Sequence, residues 1–222
     1  MTDAGNNIAI RNMTSKDIPD IVELQKRSFP LMAKDGVIWN NHHLESHIRI
    51  FPEGQFCAEI EGKIIGSSSS LVISLTPDYQ EHTWKQATAF GMFTNHTLDG
   101  DSLYGADIST HPDSRGLGVA SMLYDARKDL AVKLNLRRMI AGGRLFNYCE
   151  YADKMSAQQY AERVVTGELR DLVLSFQLNN GFKFIKILPN YMKDARSLNY
   201  ASFIEWINPK YAPSKKELDS RK

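Results

Sequence analysis

The sequence predicts an α/β protein of the mixed α+β kind, with a mixed, mostly antiparallel central sheet and helices on both faces. Three features predict this class. Apolar side chains recur with the spacing of strands in some segments and of helices in others. A hairpin signal, Glu61-Gly62, joins two apolar runs. Residues 103–134 read as strand, glycine-containing turn and helix, which is the pattern of a parallel crossover.

The first half of the chain starts with an alternating strand and continues with two helices. Residues 7–11 alternate apolar and polar side chains, as in a strand. Thr14 to Asp17 has the spacing of a capping box with Asp in place of Glu, which predicts a helix that ends at Phe29-Pro30. A second helix is predicted at residues 39–51, since Leu44, Ile48 and Phe51 share one side. The hairpin strands are predicted at residues 56–60 and 63–75.

The second half contains an irregular aromatic segment and further alternating elements. Residues 79–100 carry Trp84, Phe90 and Phe93, which predict a loop with a docked aromatic cluster over the sheet or beside a substrate pocket. After residues 103–134, the predicted elements are a strand at 138–144, a tyrosine-rich loop at 147–153, a helix at 157–165 capped by Ser156, a helix at 173–180, strands at 182–188 and 199–207, and a charged tail.

Length and composition limit the possible classes of function. The 222 residues are consistent with one domain, residues 1–208, followed by a charged tail, residues 209–222. The net charge of +1 gives no basis for binding nucleic acid. No apolar run is long enough for a membrane span, and residues 1–7 lack the layout of a signal peptide. Cys57 and Cys149 have no metal or redox spacing, so we expect a reduced, cytoplasmic setting.

The turn between the central strand and its helix is the strongest candidate for a binding site. It reads Arg115-Gly116-Leu117-Gly118-Val119-Ala120. The first turn of a helix has N–H groups without partners inside the helix, and these groups carry the positive end of the helix dipole. Glycines allow close approach to the backbone, and an arginine can hold phosphate at two points. The segment therefore predicts a phosphate or pyrophosphate site, or else a tight turn without a ligand.

Two nucleotide-binding motifs fit this turn poorly. A P-loop requires Gly-Lys-Ser/Thr, and that lysine is missing. A dinucleotide fingerprint places Gly or Ala where Ser121 stands, and an acidic residue about 20 positions further on, where residues 135–140 have none. A nucleotide-dependent enzyme remains the less favoured alternative.

The turn instead resembles the acetyl-CoA-binding motif of the GNAT N-acetyltransferase superfamily, Gln/Arg-x-x-Gly-x-Gly/Ala. Arg115, Gly118 and Ala120 match it, and a strand with Pro112 precedes them. The predicted order of elements resembles the GNAT fold over residues 8–207, apart from the extra helix near residue 157. Phrases such as Leu-Tyr-Gly-Ala-Asp-Ile and Leu-Ser-Phe-Gln-Leu also resemble the GNAT branch that is often fused to a carbon–nitrogen hydrolase domain.

The resemblance implies an enzyme that transfers an acetyl group from acetyl-CoA, its co-substrate, directly to a primary amine of a small molecule or peptide, with no metal. By position, backbone groups of the central strand contact the pantetheine arm, and the turn binds the pyrophosphate. A homodimer is possible by analogy with the family. The implied cofactor-binding residues are Ile108, Thr110, Arg115, Gly116, Leu117, Gly118, Val119 and Ala120.

The expected reaction also needs a general base and a general acid. Asp107 lies in the central strand, on the opposite face from Ile108, and is either the general base or a structural carboxylate. The family often has a tyrosine acid four residues before the glycine of Gly-Phe, but here that position is Gln177. Tyr148 is our candidate for the acid, with Tyr151 or no residue as alternatives. Gln177 also leaves open a non-catalytic acyl-CoA sensor or a partner of a hydrolase.

A metal site is not expected. His43 and His47 lie four residues apart on a predicted helix, but Glu45 is in the wrong place for a metalloprotease motif and a third ligand is not obvious. Solvated or capping roles are therefore predicted for both histidines.

Overall fold

The computed structural model describes residues 7–213, so residues 214–222 of the predicted tail lie outside the described part. At the start of that tail, Ala212 exchanges two hydrogen bonds with the Asn135 side chain. The Asn135 amide donates to the Ala212 carbonyl over 2.8 Å, and the Ala212 N–H donates back over 3.0 Å. These bonds attach the chain beyond the last strand to the turn after the long helix.

The sheet has seven strands in the order β1-β2-β3-β4-β5-β7-β6. The pairs β1/β2, β2/β3, β5/β7 and β6/β7 are antiparallel, which confirms the predicted mixed, mostly antiparallel sheet. The strands are β1 (Ala9–Asn12), β2 (Gln55–Ile60), β3 (Lys63–Ile73), β4 (Ser102–Thr110), β5 (Arg138–Arg144), β6 (Lys183–Leu188) and β7 (Ala201–Ile207).

Helices occur at every predicted position, and two short ones were not predicted. Pro30 begins a five-residue helix where the sequence indicated only an end, because proline is well suited to the first position of a helix. Residues 84–87 form one turn, too short to show a helical period. The helices are α1 (Ile18–Ser28), α2 (Pro30–Lys34), α3 (Asn41–Ile50), α4 (Trp84–Ala87), α5 (Val119–Lys133), α6 (Ala157–Val165) and α7 (Leu174–Asn179).

The described residues form two compact units. The first unit contains residues 7–71, 84–96 and 105–127, and the second contains residues 72–83, 97–104 and 128–213. In the first unit, α5 packs on the sheet through Val119 and Leu123, which are buried with Ile65. The predicted hairpin is present, and Glu61 (φ 49°) and Gly62 (φ 79°) adopt the left-handed conformation that a two-residue turn requires.

In the second unit, β5 and β6 both pair with β7, and α6 and α7 pack nearby.

A buried arginine on β5, Arg138, connects three segments of this unit. Its guanidinium donates to Ser102 Oγ (2.8 Å), Glu205 Oε1 (2.9 Å) and Asp78 Oδ1 (2.7 Å). Tyr79 Oη also donates to the Glu205 carboxylate (3.0 Å). The ion pair therefore holds the loop after β3 against β5 and β7.

Candidate functional site

The strand, turn and helix predicted at residues 103–134 are present, and the turn lies in the first unit. A short 3-10 turn at Pro112–Ser114 follows β4. It is closed by the Ser114 N–H, which donates to the His111 carbonyl over 2.9 Å. The side chain of Val119 then enters the apolar cluster with Leu123. The end of the strand and the start of the helix are thus both held, and the glycine-rich segment connects them.

Both glycines of the turn need the left-handed backbone region. Gly116 has φ +86° and Gly118 has φ +79°. A Cβ built on either one would meet no atom within 4 Å. The glycines are therefore required by the backbone conformation and not by crowding, and their surroundings can admit another molecule.

The backbone N–H groups that end this turn can bind an anion. Among residues 7–213, the N–H groups of Gly116, Gly118, Val119 and Ala120 donate no hydrogen bond. Arg115 is exposed, and within the same described part no carboxylate pairs with its guanidinium. Four N–H groups, the positive end of a 15-residue helix and a nearby cation form an arrangement able to hold a phosphate or pyrophosphate.

The last residues of β4 contact α5 through the Ile108 side chain and contact α1 and α4 through main-chain carbonyls. Ile108 packs against the cluster of Val119 and Leu123, on the side of α5. The carbonyl oxygen of Thr110 accepts from Ser28 Oγ over 2.9 Å, and the carbonyl oxygen of Ala106 accepts from Trp84 Nε1 over 3.0 Å. A carbonyl oxygen has two lone pairs, so both can accept a second hydrogen bond.

The Asp107 side chain lies on the face opposite Ile108, as predicted. Gln25 Nε2 on α1 donates to Asp107 Oδ2 over 2.7 Å and also lies 3.0 Å from Ser109 Oγ. Ser109 Oγ is in turn 2.8 Å from Ser67 Oγ. The carboxylate is thus bonded to a helix side chain, and this polar chain connects α1 to β3 and β4.

Arg127 on α5 is buried beneath the same strand. Its guanidinium donates to the main-chain carbonyls of Ser69, over 2.7 Å, and Asp107. Burial lowers the pKa of Arg127 to about 10, partly offset by the nearby Tyr124 and Asp107. The group stays charged at neutral pH and attaches α5, the helix that follows the turn, to β3 and β4.

Tyr148 lies in the second unit with its phenol engaged. Its Oη donates to the Met155 carbonyl over 3.2 Å, and its ring packs against Tyr160 and Tyr200 at centroid distances of 5.6 and 5.5 Å. Burial raises the pKa of Tyr148, which keeps the phenol protonated. Any transfer of its proton requires the bond to Met155 to be exchanged.

Gln177 is buried on α7, and its side-chain amide lies against β5. A Cβ built on Gly143 would come within 2.3 Å of Gln177 Oε1. The side chain is 4% exposed, and Oε1 has no hydrogen-bond partner among the described residues. The amide therefore fills the space above Gly143, which needs to be a glycine for that reason.

The aromatic cluster was predicted only in part. Trp84 and Phe93 pack with Trp39, at centroid distances of 5.0 and 5.9 Å. Phe90, in contrast, is 71% exposed, because Ala89, Phe90 and Gly91 all have positive φ and turn this side chain outward.

The solvated or capping role predicted for His47 is also wrong. The side chain is fully buried, with Nε2 2.7 Å from the Gly91 carbonyl.

Acid should destabilise the fold through His47. Burial lowers the pKa of His47 to about 3, against about 6.5 in an unfolded chain. Above pH 6.5 neither state binds the proton; as pH falls towards 3 only the unfolded state binds it, so stability is lost. In this pH window, His47→Gln should abolish the uptake of about one proton on unfolding. The unfolding free energy of the variant should therefore depend less steeply on pH. Urea unfolding at several pH values measures this slope, and equal slopes would contradict the assignment.

Gln25 and Arg127 were not singled out from the sequence, although a signal was present. Each is a long polar side chain within the apolar face of a predicted helix, and both are buried. Such residues need partners, and here the partners are groups of β4 and its neighbour.

Comparison with known proteins identifies the family. The profile described as "Acetyltransferase (GNAT) family" matches residues 18–148, which is more than half of the chain. This protein belongs to the GNAT acetyltransferase family. The match includes β4, the glycine turn and α5, so the residues with unpartnered N–H groups lie within the part of the chain that the family profile matches.

Two similar proteins of Bacillus subtilis (strain 168) differ in length. "Probable hydrolase YhcX" is 48% identical over 207 residues, covering 93% of this chain but only 40% of YhcX. "Uncharacterized N-acetyltransferase YkwB" is 42% identical, covering 92% of this chain and 90% of YkwB. The chain thus spans less than half of one relative and nearly all of the other.

A solved structure of the GphF GNAT-like decarboxylase in complex with isobutyryl-CoA has the same fold. It is 18% identical, with a TM-score of 0.75, covering 90% of this chain and 99% of that chain. Within residues 7–213, no group of three or more histidine, cysteine, aspartate or glutamate side chains could hold a metal ion. In the same described part of the chain, no helix has the length and apolar character needed to cross a membrane.

Proposed function

We propose that this GNAT protein transfers an acetyl group from acetyl-CoA to a primary amine of a small molecule or peptide. The observation that supports this most strongly is the turn before α5, where four N–H groups have no acceptor among residues 7–213 and two glycines face open space. In this proposal, the pyrophosphate of the co-substrate is bound by residues 115–120, with Arg115 as its counter-ion.

The pantetheine arm is proposed to follow the end of β4. The main-chain groups of Ile108 and Thr110 bond to it, and a backbone N–H of this strand polarises the thioester carbonyl, as in an oxyanion hole. The amine nitrogen attacks the thioester carbon, the C–S bond breaks, and coenzyme A leaves as a thiolate that takes up a proton. No acyl-enzyme forms, so much of the rate comes from holding the two reactants together.

Asp107 is the proposed base, and Asp107→Asn tests it. The amide keeps the shape that contacts Gln25 but cannot accept a proton, so we expect kcat to fall by about 10²–10⁴-fold with acetyl-CoA affinity kept. The pH profile of kcat/KM should also lose its acidic limb. Ser109→Ala is the matched control, since it disturbs the same polar chain without removing the carboxylate. An unaltered profile in Asp107→Asn would leave Asp107 with a structural role only.

Tyr148 is the proposed acid for the thiolate, because the amide at Gln177 cannot supply a proton usefully. The phenol must leave the Met155 carbonyl to do so. The assignment predicts that Tyr148→Phe lowers kcat for thioesters whose thiolate is a poor leaving group. The affinity for acetyl-CoA should be unchanged.

The function is tested first by binding and then by turnover. Calorimetry with acetyl-CoA, isobutyryl-CoA, NAD and ATP separates the ligand classes and the preferred acyl group. Tight binding of NAD or ATP without binding of either thioester would refute the proposal. Thiol release is then measured over amines, amino acids, polyamines and peptides, and release with an amine identifies the acceptor class.

A second candidate is a non-catalytic acyl-CoA-binding module that acts as a sensor or as a partner of a hydrolase. It is favoured by Gln177 and by the name of YhcX, of which the chain spans 40%. Acyl-CoA binding without thiol release for any acceptor would support it. We further propose that residues 1–208 form one domain, that the protein is cytoplasmic and that it is a homodimer. Light scattering in solution would test the homodimer.

A further inference from the structure

The end of β4 has one edge towards β3 and one edge away from it. The His111 N–H, directly after the strand, donates to the Ile65 carbonyl on β3 over 2.8 Å. Main-chain groups of successive residues in an antiparallel strand point alternately to its two edges. His111 and every second residue before it therefore face β3. The outer edge, away from β3, carries the main-chain groups of Ala106, Ile108 and Thr110.

Side-chain donors contact both ends of this outer edge. Ser28 Oγ on α1 donates to the Thr110 carbonyl over 2.9 Å, and Trp84 Nε1 on α4 donates to the Ala106 carbonyl over 3.0 Å. The two carbonyls are four residues apart. This separation is about 13 Å along a strand that rises about 3.3 Å per residue, and Ile108 lies midway. The outer edge is thus bounded by Ser28 on the side of the glycine turn and by Trp84 at its other end.

The Trp84 indole is held in place at that end. Its ring packs against the ring of Trp39, with the centroids 5.0 Å apart and an angle of 33° between the planes. Trp39 is only 3% exposed, and its ring also contacts His47 and Phe93 at centroid distances of 4.7 and 5.9 Å. The indole therefore cannot move away from β4 without disturbing buried aromatic side chains. Trp84 itself is partly exposed, so it can contact a ligand.

The position of Trp84 matches the far end of the proposed path of the co-substrate. With the pyrophosphate at residues 115–120, the pantetheine arm passes Thr110 first and Ile108 second. The thioester, at the end of the arm, then reaches Ala106, which is next to the proposed base Asp107. We propose that the Trp84 indole ends this path and restricts the acyl group to the size of acetyl. The inference rests on the proposed function for the course of the arm.

The restriction follows from the contacts of the indole. A longer acyl chain would have to displace the ring, which would take the donor from the Ala106 carbonyl and separate the ring from Trp39. Forcing extra methylene groups into a packed site is unfavourable because side chains leave their preferred positions. A smaller side chain at position 84 would leave space for the longer chain. The protein should therefore select acetyl-CoA over longer acyl-CoA thioesters.

A binding measurement on the full chain tests this selection without an acceptor amine. Calorimetry gives the affinities for CoA, acetyl-CoA and butyryl-CoA. The unmodified protein is expected to bind acetyl-CoA at least about tenfold more tightly than butyryl-CoA, since one methylene group that does not fit costs about tenfold or more. Trp84→Leu should reduce this ratio by about tenfold and leave the affinity for CoA unchanged. Phe90→Leu removes an exposed aromatic ring just after α4 and should leave the ratio as it is.

Trp84→Phe keeps a ring against Trp39 and should reduce the ratio less than leucine does, so it provides the test if the leucine variant does not fold. Thermal unfolding of each variant shows whether it is folded. An unchanged ratio in the folded Trp84 variants, or an unmodified protein that binds both thioesters equally, would overturn the inference. So would an equal loss of affinity for CoA and both thioesters in these variants, because the indole would then support the arm. If the unmodified protein binds neither CoA nor any thioester, the proposed function itself is refuted.

Discussion

Arg115→Ala is expected to weaken acetyl-CoA binding by about tenfold to a hundredfold. Arg115 is exposed and has no carboxylate partner in the described part of the chain, so its charge is available to the pyrophosphate. Loss of a hydrogen bond to a charged group costs about 1.5–3 kcal/mol, which corresponds to this change in affinity. Calorimetric titration with acetyl-CoA measures it directly.

The fold should survive this change, since substitutions of exposed side chains usually shift stability by no more than about 0.5 kcal/mol. Arg170→Ala removes another exposed arginine, from the second unit, and is the matched control. If Arg115→Ala binds acetyl-CoA as tightly as the unmodified protein, Arg115 does not contact the phosphate. Weaker binding in both variants would indicate a general effect of net charge.

Arg138→Met is expected to lower the free energy of unfolding by about 3–5 kcal/mol, the usual cost of removing one partner of a buried ion pair. The guanidinium is fully buried and donates to Glu205 and Asp78. Methionine fills much of the volume but leaves the Glu205 carboxylate, 5% exposed, without its cation. The thermal midpoint should fall by roughly 6–20 °C for a domain of this size.

The double variant Arg138→Met, Glu205→Leu separates charge from packing. Replacing both members of a buried pair by apolar side chains is often nearly neutral, so the double variant should recover much of the lost stability. Arg170→Met gives the baseline for an exposed arginine. A double variant as unstable as the sum of its two single variants would show that the ion pair is not what Arg138 contributes.

Helices and strands with a long periodic pattern were predictable from local sequence. Ser156 caps α6 as predicted: its Oγ accepts from the Gln159 N–H over 3.2 Å. Thr14 and Asp17 form the predicted capping box, and the Asp17 carboxylate also pairs with Arg11 over 2.8 Å. The short helices α2 and α4 were missed because a single turn has too few residues to show a period.

The candidate site was predictable where backbone conformation alone defines it. Gly116 and Gly118 occupy left-handed positions before a helix, and their spacing in the sequence indicated this turn. The face of Asp107 followed from the alternation of a strand. Partners from distant segments could not be predicted, since Gln25 lies 82 residues before Asp107 in the chain.

The sequence by itself determined the order of elements, the family motif and the glycine turn, because these depend on neighbouring residues and on backbone sterics. Only the tertiary structure decided that Asp107 is bonded to Gln25, that His47 is buried and that Phe90 is exposed. Burial and pairing of polar groups depend on which distant segments the packed core brings together, and local sequence patterns do not determine those contacts.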